Sequence, residues 1–344
     1  MDRIQRSEQT YTRLFGPRDT TAPDPDPELW AILRKLIFGE VFHTGDLDER
    51  TRELITVTVL TTMQTLPQLK AHTGAALNVG VTPVQLREAV YQCAPFIGFP
   101  KTLNAVAVIN EVFTERGIDL PLPDQATTTE DDRFEAGRAI QIPIYGDEIA
   151  ESVAGLPEPF CEAVPRFLTA FGFGDFYTRD GLDVPTRELL ILCLLAALGQ
   201  ATQIKAHIIG NLRLGNTKET QVAALVHCFP YIGFPLALNA IRTIQEVPDQ
   251  PTTWPDRRAP LRHPSVVKRR VAAFLTSWSS ASSRARVASW VRVRVVADPK
   301  CRCAGASRPR WSEVPPRRAL PGPRLGVRRR RRAGVGRGHR RCAV

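Results

Sequence analysis

The sequence predicts an all-α fold made of two tandem helical domains, followed by a disordered basic tail. Three observations predict it. The stretch that begins at Asp48 recurs without a gap at Asp183. Apolar residues in both copies follow the period of helices, and no segment alternates with the period of a strand. The composition then changes abruptly after about residue 250. A repeat is examined first because overlooking it misassigns the whole fold.

The two copies are offset by 135 residues and share several short motifs. These motifs are TREL at 51–54 and 186–189, QLKAH at 68–72 against QIKAH at 203–207, and IGFP at 97–100 and 232–235. Upstream, Phe38-Gly39 pairs with Phe173-Gly174. The sequence therefore predicts a duplicated unit: a domain over 1–124 with its core at 27–117, and a domain over 125–250 with its core at 162–247.

The first helices of the unit are predicted from their start and stop signals. Asp26-Pro27 supplies an N-cap and a proline in the first turn of a helix that runs toward Phe38. Asp48 caps the next helix, which contains TRELITVTVL. A third helix follows Pro67 and ends at Gly80.

A capping-box pattern, Thr82-Pro83-Val84-Gln85, predicts the start of a fourth helix that runs toward Phe96. Pro100 begins a fifth helix, which ends near Gly117. The second unit repeats this scheme, with helix stops predicted at Gly199, Gly215 and Pro248.

Charge separates the chain into two parts. Residues 251–344 hold 25 Lys/Arg against three acidic residues, whereas the first 250 hold 21 basic and 32 acidic residues. The Arg-rich tail has no sustained helical period, which predicts disorder. Its arginines could neutralise nucleic-acid phosphates, so any nucleic-acid binding is expected only there. The composition also resembles translation of a wrong reading frame.

The sequence excludes several classes of protein. No run of about 18 apolar residues predicts a membrane span, and the N-terminus lacks the apolar core of a signal peptide. The seven cysteines form no CxxC pair and no zinc-type spacing. Neither a GxGxxG motif nor a P-loop is present. We therefore expect a cytoplasmic protein without a membrane partner, metal or cofactor.

Two acid–imidazole pairs are the strongest candidates for chemistry. Glu53 and Glu188 open helices that are predicted to be buried, and His72 and His207 lie on the apolar stripe of the following helix. A short turn would let each Glu approach its His, and a buried Glu–His pair can transfer protons. The alternative is a structural pair, with a hydrogen-bonded core histidine and a glutamate that favours the helix dipole.

Two arginines precede these glutamates. Arg52 and Arg187 could each hold a substrate carboxylate with two hydrogen bonds. They could equally pair with an acidic residue at an interface. The sequence leaves both alternatives open.

The combination of REL, a KAH whose His follows the Glu by nineteen residues, GVTPVQL and GFPKTLNA resembles the carboxymuconolactone decarboxylase family. The resemblance covers about 27–117 and 162–247. It implies helical subunits that form trimers or hexamers, with sites near subunit contacts. One branch of that family removes CO₂ from a carboxylated lactone in aromatic catabolism.

The other branch, which is alkylhydroperoxidase-like, carries a CxxC between the Glu and the His and acts as a thiol peroxidase component. The two cysteines would fall at Thr65 and Gln68 here, and at Gln200 and Gln203 in the second unit. Without a thiolate, peroxide reduction has no nucleophile. A peroxiredoxin-like antioxidant function is therefore the disfavoured alternative.

The resemblance and the residues together predict a cofactor-free lyase that acts on a small carboxylated lactone or an enolisable acid. The histidines would protonate the enolate left by CO₂ loss, the glutamates would orient them, and glutamine amides would stabilise the oxyanion. The predicted catalytic residues are Glu53, His72, Glu188 and His207, and the predicted substrate-binding residues are Arg52, Gln68, Arg187 and Gln203. A non-catalytic oligomeric binding module is the alternative from another class.

Two further expectations concern assembly and access. A unit of about 100 residues has a limited core of its own, so we expect self-association, with three fused pairs forming a six-unit ring. A Glu–His pair at a solvent-reachable pocket favours the enzyme, whereas tight apolar burial favours the binding module.

Overall fold

The computed structural model describes residues 1–18, 26–146 and 153–248. All regular secondary structure in these ranges is helical, and they contain no strand. The all-α prediction is therefore confirmed. The disordered tail predicted over 251–344 lies outside the described residues.

Each repeat contains a series of helices joined by short turns. The helices of the first repeat are α1 (Arg3–Phe15), α2 (Pro27–Ile37), α3 (Glu49–Met63), α4 (Leu66–Asn78), α5 (Pro83–Tyr91), α6 (Ala94–Ile97) and α7 (Phe99–Glu115), with a 3₁₀ turn at Val41–His43. Those of the second are α8 (Arg133–Tyr145), α9 (Phe160–Phe167), α10 (Val184–Leu198), α11 (Ala201–Arg213), α12 (Lys218–His227), α13 (Phe229–Ile232) and α14 (Phe234–Glu246). The α9 helix continues into a π-helix at Leu168–Tyr177.

The predicted caps form as expected from the sequence. The Asp48 side chain accepts a hydrogen bond from the Thr51 backbone N–H at 2.6 Å and so starts α3. Thr82 and Gln85 make both hydrogen bonds of the capping box at the start of α5. Gly199 ends α10 with a left-handed backbone (φ 68°).

One predicted helix is interrupted. The fourth helix was expected to run toward Phe96, but α5 ends at Tyr91 and a separate turn, α6, follows. Pro95 lies within the first turn of α6. Because proline has no backbone N–H to donate to the preceding turn, it favours a new helix start over continuation of α5.

Helices α1 and α8 were not expected from the sequence, and they occupy equivalent places in the two repeats. Helix α1 packs on α2 and α4, and α8 packs on the π-helix and α11. A Cβ at Gly39 would overlap the carbonyl of Arg3 on α1, and a Cβ at Gly174 would overlap that of Arg133 on α8. The Phe-Gly motif shared by the repeats therefore marks the place where another backbone passes too closely for any side chain.

The two repeats share a hydrophobic core. Helices α3 and α10 pack against each other, and buried residues of both repeats, such as Val57 and Leu192, belong to the same cluster. The described parts of the predicted domains at 1–124 and 125–250 thus pack as one body.

Candidate active site: two Glu–His pairs

The first Glu–His pair joins α3 to α4. Asp48 caps α3 five residues before Glu53, and His72 lies one and a half turns into α4, so the short α3–α4 turn brings both side chains together. His72 Nδ1 lies 2.9 Å from Glu53 Oε2. The Glu53 side chain is 0 % exposed and that of His72 is 10 % exposed. Only an edge of the imidazole therefore reaches the surface.

The second pair has the same geometry in the second repeat. His207 Nδ1 on α11 lies 2.7 Å from Glu188 Oε1 on α10, and the imidazole is 12 % exposed. The structure thus brings together both pairs that the sequence singled out. The first pair is called site 1 below, and the second is called site 2.

Each site is completed by an aromatic ring from the other repeat. Tyr231, in α13, stands edge-on to His72 with ring centroids 5.7 Å apart. Phe96, in α6, takes the equivalent place against His207, also at 5.7 Å. A ring from the same repeat flanks the other side of each imidazole at 5.3 Å: Phe15 at site 1 and Tyr145 at site 2. Residues of both repeats therefore surround each imidazole.

The Glu188 carboxylate is fully hydrogen-bonded. The hydroxyl of Tyr177 donates to Oε2 at 2.7 Å. The hydroxyl of Tyr145 donates to Oε1 and also lies 2.7 Å from His207 Nδ1. Burial alone would raise the pKa of Glu188, but the imidazole of His207 and the hydrogen bonds from His207 and both tyrosines outweigh it, so the net shift is downward. Site 2 thus holds a stabilised carboxylate.

Both tyrosines of site 2 act as neutral donors. Burial, followed by the nearby Glu188 charge, raises the pKa of Tyr145 and of Tyr177 well above the usual value. Neither phenol therefore ionises at neutral pH, and both hydroxyls remain hydrogen-bond donors to the Glu188 carboxylate.

Site 1 lacks these donors. Phe42 stands 135 residues before Tyr177, and Phe15, the last residue of α1, takes the place of Tyr145 at the end of α8. Glu53 Oε1 is buried and has no hydrogen-bond partner among the described residues. A buried polar group left without a partner costs about 1–3 kcal/mol, and more if it is charged. Site 1 is therefore the less stable of the two arrangements.

A second unpartnered group belongs to the ring that contacts the same imidazole. The Tyr231 hydroxyl is buried and has no hydrogen-bond partner in the described part of the chain. Burial raises the pKa of Tyr231, with a smaller contribution of the same sign from Glu53 and an opposing one from the nearby hydroxyl of Thr56. Tyr231 therefore keeps its proton, and no described residue accepts that proton in a hydrogen bond of good geometry.

His227 contacts Tyr231 of site 1, and no repeat motif pointed to it because its counterpart in the first repeat is Gln92. Its Nε2 is 2.9 Å from the Thr56 hydroxyl, which itself donates to the Arg52 carbonyl at 2.9 Å. Nε2 is therefore assigned the proton. Burial, then the Arg52 charge, lowers the pKa of His227 well below its usual value. This histidine is neutral and packs with Phe42.

The predicted substrate-binding arginines lie elsewhere. Arg52 is buried and donates to the backbone carbonyls of the loop before α3. These acceptors are the carbonyls of Val41, Thr44, Gly45 and Leu47. Four of its five N–H donors are used by the loop and the side chain is 1 % exposed, so the guanidinium does not face a substrate carboxylate, and we do not retain that role for Arg52.

Arg187 matches the other alternative, an ion pair between elements. Its Nη2 lies 3.2 Å from Glu88 Oε2, and its Nη1 donates to Gln92 at 3.1 Å. Glu88 also accepts from Arg179 Nε at 2.9 Å. Glu88 belongs to the first repeat and both arginines to the second, so this buried cluster ties the repeats together. A substrate-binding role is not retained for Arg187 either.

The predicted oxyanion donors lie at the surface. Gln68 and Gln203 are exposed, each one helical turn before the histidine of its site and on the same helix face. In the described part of the chain, neither makes a hydrogen bond to the glutamate of its site.

A profile of one protein family matches the chain twice. The carboxymuconolactone decarboxylase family model covers residues 27–111 and 162–246. An uncharacterized 15.0 kDa protein of Paracoccus denitrificans is 31 % identical over 117 residues, which cover 87 % of that protein and 32 % of this chain. This chain belongs to the carboxymuconolactone decarboxylase family.

Two named decarboxylases are among its relatives. The 4-carboxymuconolactone decarboxylase of Acinetobacter baylyi is 26 % identical over 119 residues, covering 88 % of that enzyme and 34 % of this chain. The nitrosuccinic acid decarboxylase of Metarhizium robertsii is 29 % identical over 84 residues, covering 59 % of that enzyme and 24 % of this chain. Both alignments are shorter than two repeats, so this member of the family is a tandem version of the unit they share.

Two other kinds of reactive group, metal-ligand clusters and thiols, can be described in the same residues. The described residues contain no group of three or more His, Cys, Asp or Glu side chains placed to hold a metal ion. Cys93 and Cys228 are fully buried. Burial raises the pKa of Cys93, and a hydrogen bond with Cys193 followed by burial raises that of Cys228. Of the helices described, none has the length and apolarity needed to cross a bilayer.

An open groove adjoins site 1. It has a volume of about 270 Å³ and lies between α1, α4 and α7. Phe15 lines it and also contacts the ring of His72. Arg116, which donates to Asn78 at 3.0 Å, supplies a cation at its floor. The groove and the imidazole are thus separated by one aromatic side chain.

Replacing Gly210 by Ala is expected to destabilise the protein by about 1–3 kcal/mol, the usual cost of overpacking. In an ordinary helix this change stabilises by about 0.5–1 kcal/mol. Here the new Cβ would lie 2.7 Å from Glu188 Oε1 and 3.0 Å from the Tyr145 hydroxyl. Denaturant unfolding of wild type and Gly210→Ala measures the sign of the change in stability. A variant more stable than wild type would show that the Glu188 carboxylate can move away from the new Cβ.

Proposed function

We propose that the protein is a cofactor-free carboxy-lyase that acts on a small carboxylated lactone or a related enolisable acid. One observation carries the proposal: in both repeats an imidazole donates through Nδ1 to a buried carboxylate, at 2.9 and 2.7 Å, while the histidine side chain stays 10 % or 12 % exposed. This is the arrangement that a general acid requires. The decarboxylase names of two relatives support the reaction type.

The reaction would use few groups. Cleavage of the bond to CO₂ leaves its electron pair on the substrate carbon, delocalised into the carbonyl as an enolate. The outward-facing Nε2 of the histidine returns a proton to that carbon, while the glutamate fixes the ring and stabilises the imidazolium. Gln68 and Gln203, one turn away, would offer amide hydrogen bonds to the substrate. The histidine then regains a proton from water.

The test is direct. The full chain is incubated with a panel of carboxylated γ-lactones and β-keto acids, and the release of CO₂ is measured. The matched blank is the double variant His72→Asn with His207→Asn, which keeps an amide in place of each ring. Release that depends on the histidines supports the proposal, and equal rates from both proteins for every substrate overturn it.

A non-catalytic binding module is the second candidate, and burial favours it. Both carboxylates are 0 % exposed and both imidazoles are at most 12 % exposed. Such burial is also what a purely structural pair would show. The CO₂ assay separates the two functions.

We further propose that the chain assembles with copies of itself, as three fused pairs. Large apolar side chains are exposed at the same positions of both repeats, which indicates a surface used twice. The matched positions are Leu29 and Val164, Ile32 and Phe167, Phe99 and Phe234, and Leu103 and Leu238. Light scattering on the full chain is expected to give a trimer, and a monomer at micromolar concentration would overturn the ring.

A further inference from the structure

The two Glu–His sites have the same backbone arrangement, but they differ in whether their buried polar atoms have hydrogen-bond partners. At site 2, every polar atom of Glu188 has a donor: Tyr145 and His207 on one oxygen and Tyr177 on the other. At site 1, the hydrogen bond from His72 is the only one that Glu53 receives from the described residues. One copy is internally complete, and the other has unused hydrogen-bonding capacity.

The unused capacity at site 1 includes both a donor and an acceptor. Glu53 Oε1 can accept, and the Tyr231 hydroxyl can donate, yet neither finds a partner among the described residues. Both belong to side chains that contact the ring of His72. Orphaned buried polar groups are rare in folded proteins, and those that persist mark places where a ligand or a reaction supplies the partner.

Neighbouring positions have changed together in the two copies. Gly210 leaves room beside Glu188 for the Tyr145 hydroxyl. Its counterpart 135 residues earlier is Ala75, next to which Phe15 carries no hydroxyl. Tyr145 thus occurs with Gly210 in the second repeat, and Phe15 occurs with Ala75 in the first. The two sites therefore differ in side-chain packing as well as in hydrogen bonding.

We propose that site 1 is the ligand-binding and working site, that Tyr231 donates its hydroxyl hydrogen bond to the substrate there, and that site 2 is a closed structural copy. The inference rests on the proposed function and narrows it to one repeat. Site 1 also shares Phe15 with the groove of about 270 Å³, whose charged lining residues are two cations, Lys70 and Arg116, and one carboxylate, Glu115, a balance that suits an acidic substrate.

Tyr231 has a defined part in the reaction. As the bond to CO₂ breaks, negative charge moves onto the substrate carbonyl oxygen, and the Tyr231 O–H donates to that oxygen without giving up its proton. Nε2 of His72 then delivers the proton to carbon. A donor that meets charge only in the transition state lowers the barrier more than it strengthens substrate binding.

The experiment compares two Tyr→Phe changes that the duplication itself supplies. Phe96 stands where Tyr231 would be in the first repeat, and Phe42 stands where Tyr177 would be, so the fold accepts phenylalanine at both places. Tyr231→Phe is expected to lower kcat for CO₂ release about 100-fold and to leave the denaturation midpoint unchanged or higher. Tyr177→Phe is expected to lower the midpoint, because it removes a hydrogen bond to the buried Glu188 carboxylate. It is expected to leave kcat within about twofold of wild type, because site 2 is the structural copy.

Binding of an unreactive probe keeps this test separate from the test of function. The probe is 5-oxotetrahydrofuran-2-carboxylate, a saturated carboxylated lactone, and its affinity for the full chain is measured by calorimetry. Tyr231→Phe is expected to weaken it about fivefold or more, the contribution of one hydrogen bond, and Tyr177→Phe to leave it unchanged.

Each outcome decides one of the two claims. A chain that binds the probe through Tyr231 but releases no CO₂ retains the inference and loses the proposed function. A chain whose CO₂ release survives Tyr231→Phe, or falls equally with Tyr177→Phe, retains the function and overturns the inference. Failure of the wild-type chain to bind the probe also overturns it.

Discussion

Replacing Glu88 by Gln is expected to lower the free energy of unfolding by about 3–5 kcal/mol, because removing one partner of a buried ion pair leaves uncompensated charge. Glu88 is 0 % exposed and receives hydrogen bonds from Arg179 at 2.9 and 3.1 Å and from Arg187 at 3.2 Å. Arg187 is also 0 % exposed, so its charge cannot turn to water when the carboxylate is removed. The substitution therefore weakens the contact between the two repeats.

A surface glutamate provides the control for Glu88. Glu111 pairs with Lys70 at 2.6 Å, but its side chain is 57 % exposed. Glu111→Gln is therefore expected to cost at most about 1 kcal/mol. Urea unfolding at neutral pH measures both variants, and similar losses for the two would show that the buried cluster contributes no more than a surface pair.

Replacing Glu188 by Gln is expected to destabilise the protein by about 1.5–3 kcal/mol, the contribution of a hydrogen bond to a charged group. The neutral amide can no longer accept charge-assisted bonds from Tyr145, Tyr177 and His207 together. Glu53→Gln is the matched variant, and it is expected to cost less by about 1 kcal/mol or more, because Glu53 Oε1 has no partner to lose.

The loss caused by Glu188→Gln should depend on pH. The folded-state pKa of Glu188 lies below its ordinary value of 4.5. A carboxylate with a depressed pKa contributes stability in full above the unfolded-state pKa and loses it as the pH falls through the folded-state value. The difference between wild type and variant should therefore be constant near neutral pH and shrink below pH 4.5. A difference that stays constant down to acid pH would show that ionisation of Glu188 contributes nothing.

Several features of the site could be predicted from the sequence alone. Recurrence of TREL and of KAH at one offset identified the duplication, and the caps at Asp48 and Thr82 located helix starts, since each rests on side chains a few residues apart. The Glu–His contact was also predictable, because a short turn between two helices fixes which faces meet. All of these are local relations.

Other features depended on contacts between distant segments. Tyr145 reaches Glu188 because α8 packs over α11, and Tyr231 reaches His72 because α13 lies against α3 of the other repeat. Neither tyrosine lies in a motif or at a fixed spacing from the residue it serves. The ion pair of Arg187 was equally unpredictable, because its buried partner, Glu88, lies 99 residues away in the sequence.

The sequence by itself determined that this protein is a helical duplication with an acid–imidazole pair in each copy, because helical periodicity, caps and a hairpin of helices are short-range effects. Only the tertiary structure decided how the two pairs differ. Hydrogen-bond satisfaction in a buried site depends on which side chains the other helices bring within about 3 Å. At Glu188 they bring two hydroxyls, whereas in the first repeat Phe15 and Phe42 take the places of those tyrosines and Glu53 Oε1 has no partner among the described residues.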